Sequence, residues 1–199
     1  MSKELIELLT NRACGIQTKT FDPICEELIK ITMSDLNSSL LREEITIAIS
    51  GHESLPGKHG RDCVDPITGK EKEVKPKCYT GKSTNGGGCF NDYTRKRFDK
   101  DKEDNLPIIH SLFVDGKLQY VIEFEFNEIA ETLNQQINKI CEQQKNRYVR
   151  SANWTYKHWI NSPSLKFHYF NEQEISKNTK AMTKPFKKLL LERYYDNSK

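Results

Sequence analysis

The stretch from Gly60 to Pro76 limits what this chain can become more than any other. It reads Gly-Arg-Asp-Cys-Val-Asp-Pro-Ile-Thr-Gly-Lys-Glu-Lys-Glu-Val-Lys-Pro. Pro66 to Gly69 suit a tight turn between two strands. Such a turn fixes the antiparallel register, setting Asp65 opposite Lys70, Val64 opposite Glu71 and Asp62 across from Glu73. Because side chains alternate along a strand, Lys75 shares a face with Glu73, while Val74 turns the other way toward a core. The expected product is a pair of carboxylates with an ammonium beside them.

Hard anionic oxygens a strand spacing apart suit a Mg²⁺ ion that keeps several waters and takes further ligands from a phosphate. A neighbouring lysine can orient or help deprotonate a water, or stabilise charge on the phosphate. The pattern therefore fits metal-assisted phosphodiester hydrolysis. A plain surface hairpin, with Lys70, Glu71, Lys72, Glu73 and Lys75 pairing across a solvent face, fits the same alternation. Against it, Cys63, Val64 and Val74 interleave with the acids as in a half-buried strand, and burying Asp62 or Glu73 without a cation is costly.

At these residues the chain resembles the PD-(D/E)XK nuclease superfamily and, within it, the small type II restriction endonucleases. Asp62 corresponds to the isolated acid, and Glu73 with Lys75 to the (D/E)xK half of the motif. The likeness covers the hairpin and a compatible run of flanking elements. Arg61 stands where the family's proline precedes the acid, and a proline follows Asp65 instead. That leaves Asp65 as a rival metal ligand, although its strand parity and its place at the turn argue against it. The resemblance implies an α/β fold, with a mixed β-sheet flanked by helices around a restriction endonuclease-like core. It also implies Mg²⁺ dependence, with the Val74 backbone carbonyl completing the metal sphere, and hydrolysis of double-stranded DNA to leave a 5′-phosphate. A symmetric site cut by one active centre per subunit implies a homodimer. Family members sometimes draw a further acid from the helix ahead of the motif, which makes Glu44, beside Glu43, an additional candidate, though both also suit a solvent-facing position.

With 199 residues, 36% of them hydrophobic, the chain can bury one core. It reads as a single nuclease domain over 1–199, with a helical part at 1–50, the catalytic hairpin and sheet at 60–126, and a helix, strands and C-terminal helix at 128–199. Charged residues make up 30%, and no apolar run approaches the length of a membrane span. Lys3, Glu4 and Glu7 do not suit a signal peptide, so a cytoplasmic protein is expected. The cysteines, Cys14, Cys25, Cys63, Cys78, Cys89 and Cys141, show no C-x-x-C spacing and read as reduced thiols, several of them buried. His52, His59, His110, His158 and His168 are equally dispersed, which speaks against a histidine–metal nuclease.

The net charge of +3 says less than its distribution. Basic residues gather at Lys75 to Lys82, at Arg95-Lys96-Arg97 and along Lys177 to Lys188, so Lys77, Lys82, Arg95, Lys96 and Arg97 are candidates for DNA phosphate contact. Asn85 and the run Gly86-Gly87-Gly88 could offer backbone N–H groups to a phosphate ahead of a helix capped by Asn91-Asp92. No Gly-Lys-Ser/Thr follows at the P-loop spacing, so no nucleotide cofactor is expected.

Lys3 to Arg12 and Ile24 to Leu41, which includes Leu36, read as amphipathic helices, the second with Asp22 as N-cap. Leu41 to Ser50 suits a strand or a continuing helix. Asp115-Gly116 marks a hairpin between Ile108–Val114 and Lys117–Phe126. Glu123 or Glu125 could touch a metal there, but a polar sheet face suits them better. A helix from Glu128 to about Gln144 follows. Arg150 to Ile160 and Leu165 to Phe170 read as strands, and a helix around Pro185 to Tyr195 closes the chain. In the first strand Asn153, Thr155 and Lys157 would share a face suited to reading base edges, or else a plain solvent face. Besides a restriction enzyme, a repair or recombination nuclease of the same superfamily and a non-enzymatic DNA-binding protein stay open.

Overall fold

The computed structural model describes residues 2–16, 22–35, 39–56, 60–79, 81–145, 147–178 and 180–197. Helices α1 (Lys3–Ala13), α2 (Pro23–Ser34) and α3 (Leu40–Ser50) come first. Ser2 and Asp22 cap α1 and α2 by accepting from the N–H groups of Leu5 and Ile24. The single helix expected over Ile24 to Leu41 is two, because α2 ends at Ser34 and Asp35 is extended; Leu36 lies outside the described residues. The stretch open to strand or helix is α3. Arg42, Ile45, Thr46 and Ser50 are buried at helical spacing, and left-handed Gly51 ends the helix.

Strands β1 (Glu53–Ser54), β2 (Cys63–Val64) and β3 (Glu71–Cys78) follow, with His59 in the part of the intervening loop outside the described residues. Next come β4 (Cys89–Tyr93), α4 (Arg95–Glu103), β5 (Pro107–Val114) and β6 (Lys117–Glu125). Then α5 (Asn127–Ile137) passes into a π-helical turn over Asn138–Gln143. The chain ends with β7 (Val149–Asn153), α6 (Tyr156–Trp159), β8 (Lys166–Phe170), α7 (Glu172–Lys177) and α8 (Lys184–Asn197). Among the described residues no helix is long and apolar enough to cross a membrane.

The main sheet is mixed and six-stranded, in the order β1-β2-β3-β5-β6-β8, with β3 and β5 parallel and the other pairs antiparallel. The parallel pair needs a crossover, and α4 lies in it. A second sheet pairs β4 with β7. This is an α/β architecture with a mixed sheet between helices. On one face Val74, Ile109, Phe113 and Val121 pack with Leu9, Met33 and Ile45 from the first three helices. On the other, Ile108, Leu112, Ile122 and Phe124 pack with Phe98, Leu133, Trp159 and Phe186. Covered on both sides, β5 is buried along its whole length. Its polar residues are satisfied there: His110 Nδ1 lies 2.7 Å from the Lys75 carbonyl, and Ser111 Oγ 2.7 Å from Thr46 Oγ1.

Three local expectations change. Asn91 and Asp92 belong to β4, and α4 is capped instead by Thr94, which accepts from the Arg97 N–H. The strand expected to run to Ile160 stops at Asn153, because Thr155 and His158 form a capping box that starts α6. Asn153 and Lys157 therefore do not share a strand face. Gly86 and Gly87 are buried against tryptophans. A Cβ on Gly87 would stand 2.3 Å from the Trp154 carbonyl oxygen, and one on Gly86 2.6 Å from the Phe186 ring. The glycines serve this close approach, and Trp159 Nε1 donates to the Gly86 carbonyl at 2.9 Å.

Candidate active site

The β2–β3 hairpin has the register that its turn dictates. Cys63 stands opposite Lys72 and Val64 opposite Glu71, while the N–H groups of Asp62 and Asp65 donate to the carbonyls of Lys72 and Lys70 at 3.1 and 3.0 Å. Asp65 caps the turn, accepting from Ile67 at 2.9 Å and Thr68 at 3.2 Å. Those backbone bonds lower its pKa. Its nearest cation, Lys72 Nζ at 3.8 Å, projects from the face of β3 opposite Glu73, so the rival ligand is held away from the pair.

Asp62 and Glu73 meet beside the N-terminal half of α4. The Val74 N–H donates to Asp62 Oδ2 at 2.7 Å. The Val74 carbonyl points to the same edge of β3 as that N–H, by strand geometry, while its side chain is buried in the core. Glu73 is 3% exposed. Its Oε1 accepts from Lys75 Nζ and from Arg97 Nη2, the latter at 3.0 Å, whereas its Oε2 is buried with no hydrogen-bond partner among the described residues. Burial, and then the charge of Glu73, push the Asp62 carboxyl up to about 6, against the pull of Lys75 and the Val74 N–H. The pair opens onto a cleft of about 720 Å³ that Arg61 and Lys100 also line.

The surroundings fix these groups in place. Arg61 donates to Asp101 Oδ1 at 2.6 Å and to Asp104 Oδ2 at 3.1 Å, tying the hairpin to α4. Asp101 is fully buried and also accepts from the Tyr93 hydroxyl at 2.6 Å. Lys75 Nζ and the Arg97 guanidinium both lie over the Phe90 ring, at 5.3 and 5.4 Å from its centroid. Through its carbonyl, Lys75 is held by His110, whose pKa burial lowers to about 4.

Other candidates fall elsewhere. Glu44 accepts from Ser54 Oγ at 2.7 Å and lines a different cleft, while its neighbour Glu43 is near enough to raise the Asp62 pKa. Within the basic triplet, Arg97 belongs to the carboxylate site and Arg95 binds the side chains of Asn134 and Asn138, so Lys96 alone is exposed. Lys77, Lys82 and Asn85 are exposed. Asn153 Nδ2 donates to the Ser151 carbonyl at 2.7 Å. Of the cysteines, Cys63 is buried, with its thiol pushed up to about 12 by burial, while Cys25 is exposed. Asp101 and the second role of Arg97 carried no sequence signal, since both depend on how α4 packs.

Two carboxylates, one with an unpaired buried oxygen, and two cations sharing the other oxygen make a centre able to hold a hard divalent ion and the anion it binds. No protein-family model matches the chain, and no curated protein matches it.

Proposed function

We propose that this chain is a Mg²⁺-dependent endonuclease of the PD-(D/E)XK type that hydrolyses double-stranded DNA, in the manner of a type II restriction enzyme acting as a homodimer. The observation that carries the reading is the buried Oε2 of Glu73, without a hydrogen-bond partner among the described residues, beside Asp62 at the wall of an open cleft. An unpaired carboxylate oxygen in such a place is costly unless a cation meets it. Burial and, after it, the charge of Glu73 raise the Asp62 pKa in the same place.

Asp62, Glu73 and the Val74 carbonyl would hold the ion. When bound, Mg²⁺ supplies positive charge to a phosphodiester oxygen. Lys75 and Arg97 fix Glu73 through its other oxygen, so that Oε2 would be the oxygen offered to an ion. The Lys75 ammonium also stands where it can orient the attacking water. Hydrolysis then joins that water's oxygen to phosphorus and breaks the bond to the 3′ oxygen, leaving a 5′-phosphate. Lys96 and Lys77, both exposed, suit phosphate contact outside the reacting centre.

The test is incubation of the purified protein with long unmethylated double-stranded DNA, with Mg²⁺ or with EDTA. Discrete fragments that require Mg²⁺, and that Glu73→Gln and Lys75→Ala do not produce, are expected. DNA left intact by the wild-type protein across many sequences but bound in a salt-sensitive way would support the non-enzymatic reading instead.

A further inference from the structure

The fold gathers two of the dispersed histidines. His52 follows the left-handed turn that ends α3, and its N–H donates to the Ile47 carbonyl at 3.1 Å. Glu123 lies on β6 and His168 on β8. His168 Nε2 is 2.9 Å from Glu123 Oε2, and His52 Nε2 is 3.5 Å from the same oxygen. One ligand atom from each residue lies within 4.8 Å of the others. Bonds of about 2.0–2.1 Å to a tetrahedral ion set its ligand atoms ~3.4 Å apart, a spacing the two measured edges bracket.

We propose that His52, Glu123 and His168 bind a divalent cation of the Zn²⁺ class, at a centre separate from Asp62 and Glu73. Two imidazoles and one carboxylate suit a borderline ion better than Mg²⁺, which prefers an all-oxygen shell. Three features independent of the cluster's composition support the site. The His52 side chain is only 5% exposed, yet its Nδ1 has no hydrogen-bond partner among the described residues and its Nε2 has only the long 3.5 Å contact with Glu123. A buried polar group left so needs an explanation, and a metal bond supplies one.

The register between β6 and β8 also shifts here. Val121 pairs with Tyr169 and Ile122 with Phe167, which leaves His168 as the extra residue of a β-bulge. A bulge re-aims a side chain, and this one brings His168 to the face that carries Glu123. Third, Glu123 divides its oxygens. Oε1 accepts from Lys72 Nζ at 2.8 Å, which holds the carboxylate from outside and leaves Oε2 to the histidines. Access is open, because His52 also lines a cleft of about 810 Å³ beside α1 and α3.

The test uses the full chain stripped with EDTA, dialysed against Zn²⁺ and assayed for metal content. Wild type, Asp62→Ala and Glu73→Ala should each retain a stoichiometric ion, whereas His52→Ala and His168→Ala should bind at least about tenfold more weakly. Co²⁺ in place of Zn²⁺ should give visible d–d absorption that Zn²⁺ displaces and that His168→Ala lacks. Circular dichroism and Tm in EDTA show whether His52→Ala is folded at the assay temperature, so loss of metal in the folded variant reports ligation and not unfolding; the buried ring's removal should itself lower that Tm by only a few degrees. Failure of the wild type to retain Zn²⁺, full retention by folded His52→Ala, or loss in Glu73→Ala with retention in the histidine variants would each overturn the site.

Discussion

Lys72 and Glu73 are neighbours on β3 that serve opposite faces of the sheet, Lys72 reaching Glu123 at 2.8 Å and Glu73 meeting Arg97 at 3.0 Å. Strand alternation alone produces this division. It sets two polar centres back to back, the carboxylate pair beside α4 and the histidine cluster beside α3, with one strand carrying a residue of each. A shift of β3 by one residue would exchange the two and bury Lys75 where Val74 now packs, so the turn that fixes the hairpin register fixes both centres.

The raised pKa of Asp62 makes stability depend on pH. A carboxyl at about 6 in the folded chain, against an ordinary 3.8, binds its proton more tightly when folded, so ionisation penalises the folded state. The penalty is absent below the unfolded value, grows between the two and is complete above about 6. Asp62→Asn, which keeps an acceptor for the Val74 N–H, should therefore stabilise the EDTA-treated protein by roughly 1–3 kcal/mol at pH 7.5 and by nothing measurable at about pH 3. Urea denaturation at the two pH values measures this; equal gains at both would show that the carboxylate is not strained by burial and charge.

Arg97 and Lys96 should separate catalysis from binding. Arg97 shares Glu73 with Lys75, so Arg97→Ala should lower the cleavage rate by at least about tenfold while leaving the salt slope of DNA binding nearly unchanged. Lys96 is exposed at the start of α4, and Lys96→Ala should flatten that slope by roughly one unit with cleavage largely kept. Rates under saturating DNA together with affinities over a salt series decide it, and a reversed pattern would move Arg97 out of the carboxylate site.

The glycine run gives a prediction about packing. A Cβ at Gly87 meets the Trp154 carbonyl oxygen at 2.3 Å, a backbone atom that can yield only if β7 and α6 shift. Gly87→Ala should cost about 2–4 kcal/mol and lower Tm by roughly 5–10 °C. Calorimetry reads this directly, and an unchanged Tm would mean that the loop moves freely against the tryptophan.

The hairpins were legible because their signals are local. Turn length with parity placed Cys63 across from Lys72 and Val64 across from Glu71, and Asp115-Gly116 marked the β5–β6 turn, where both residues take positive φ. What escaped the sequence depends on neighbours distant along the chain. Three glycines announce a close approach without saying whether the neighbour is a phosphate or Trp154. Alternation from Arg150 onward reads as one long strand, and the Thr155–His158 capping box that ends it is a weaker signal than one closed by Glu or Gln. His52 and His168 share a site only because α3 ends against the sheet and β8 carries a bulge, neither of which spacing reveals.

Asp101 carries the last prediction. It is fully buried and binds Arg61 at 2.6 Å and Tyr93 at 2.6 Å, and burial, followed by the charge of Asp101, raises the Tyr93 pKa. Removing one member of such a cluster leaves the others unpaired in the interior. Asp101→Ala should cost about 3–5 kcal/mol, more than Tyr93→Phe, which removes only a hydroxyl. Because Arg61 ties the hairpin to α4, the variant should also lose cleavage at temperatures where it is still folded, as Arg97 drifts from Glu73. Denaturant titration beside an activity assay below the Tm tests both parts. A destabilised variant with full activity would show that the Arg61–Asp101 pair holds the fold without positioning the carboxylate site.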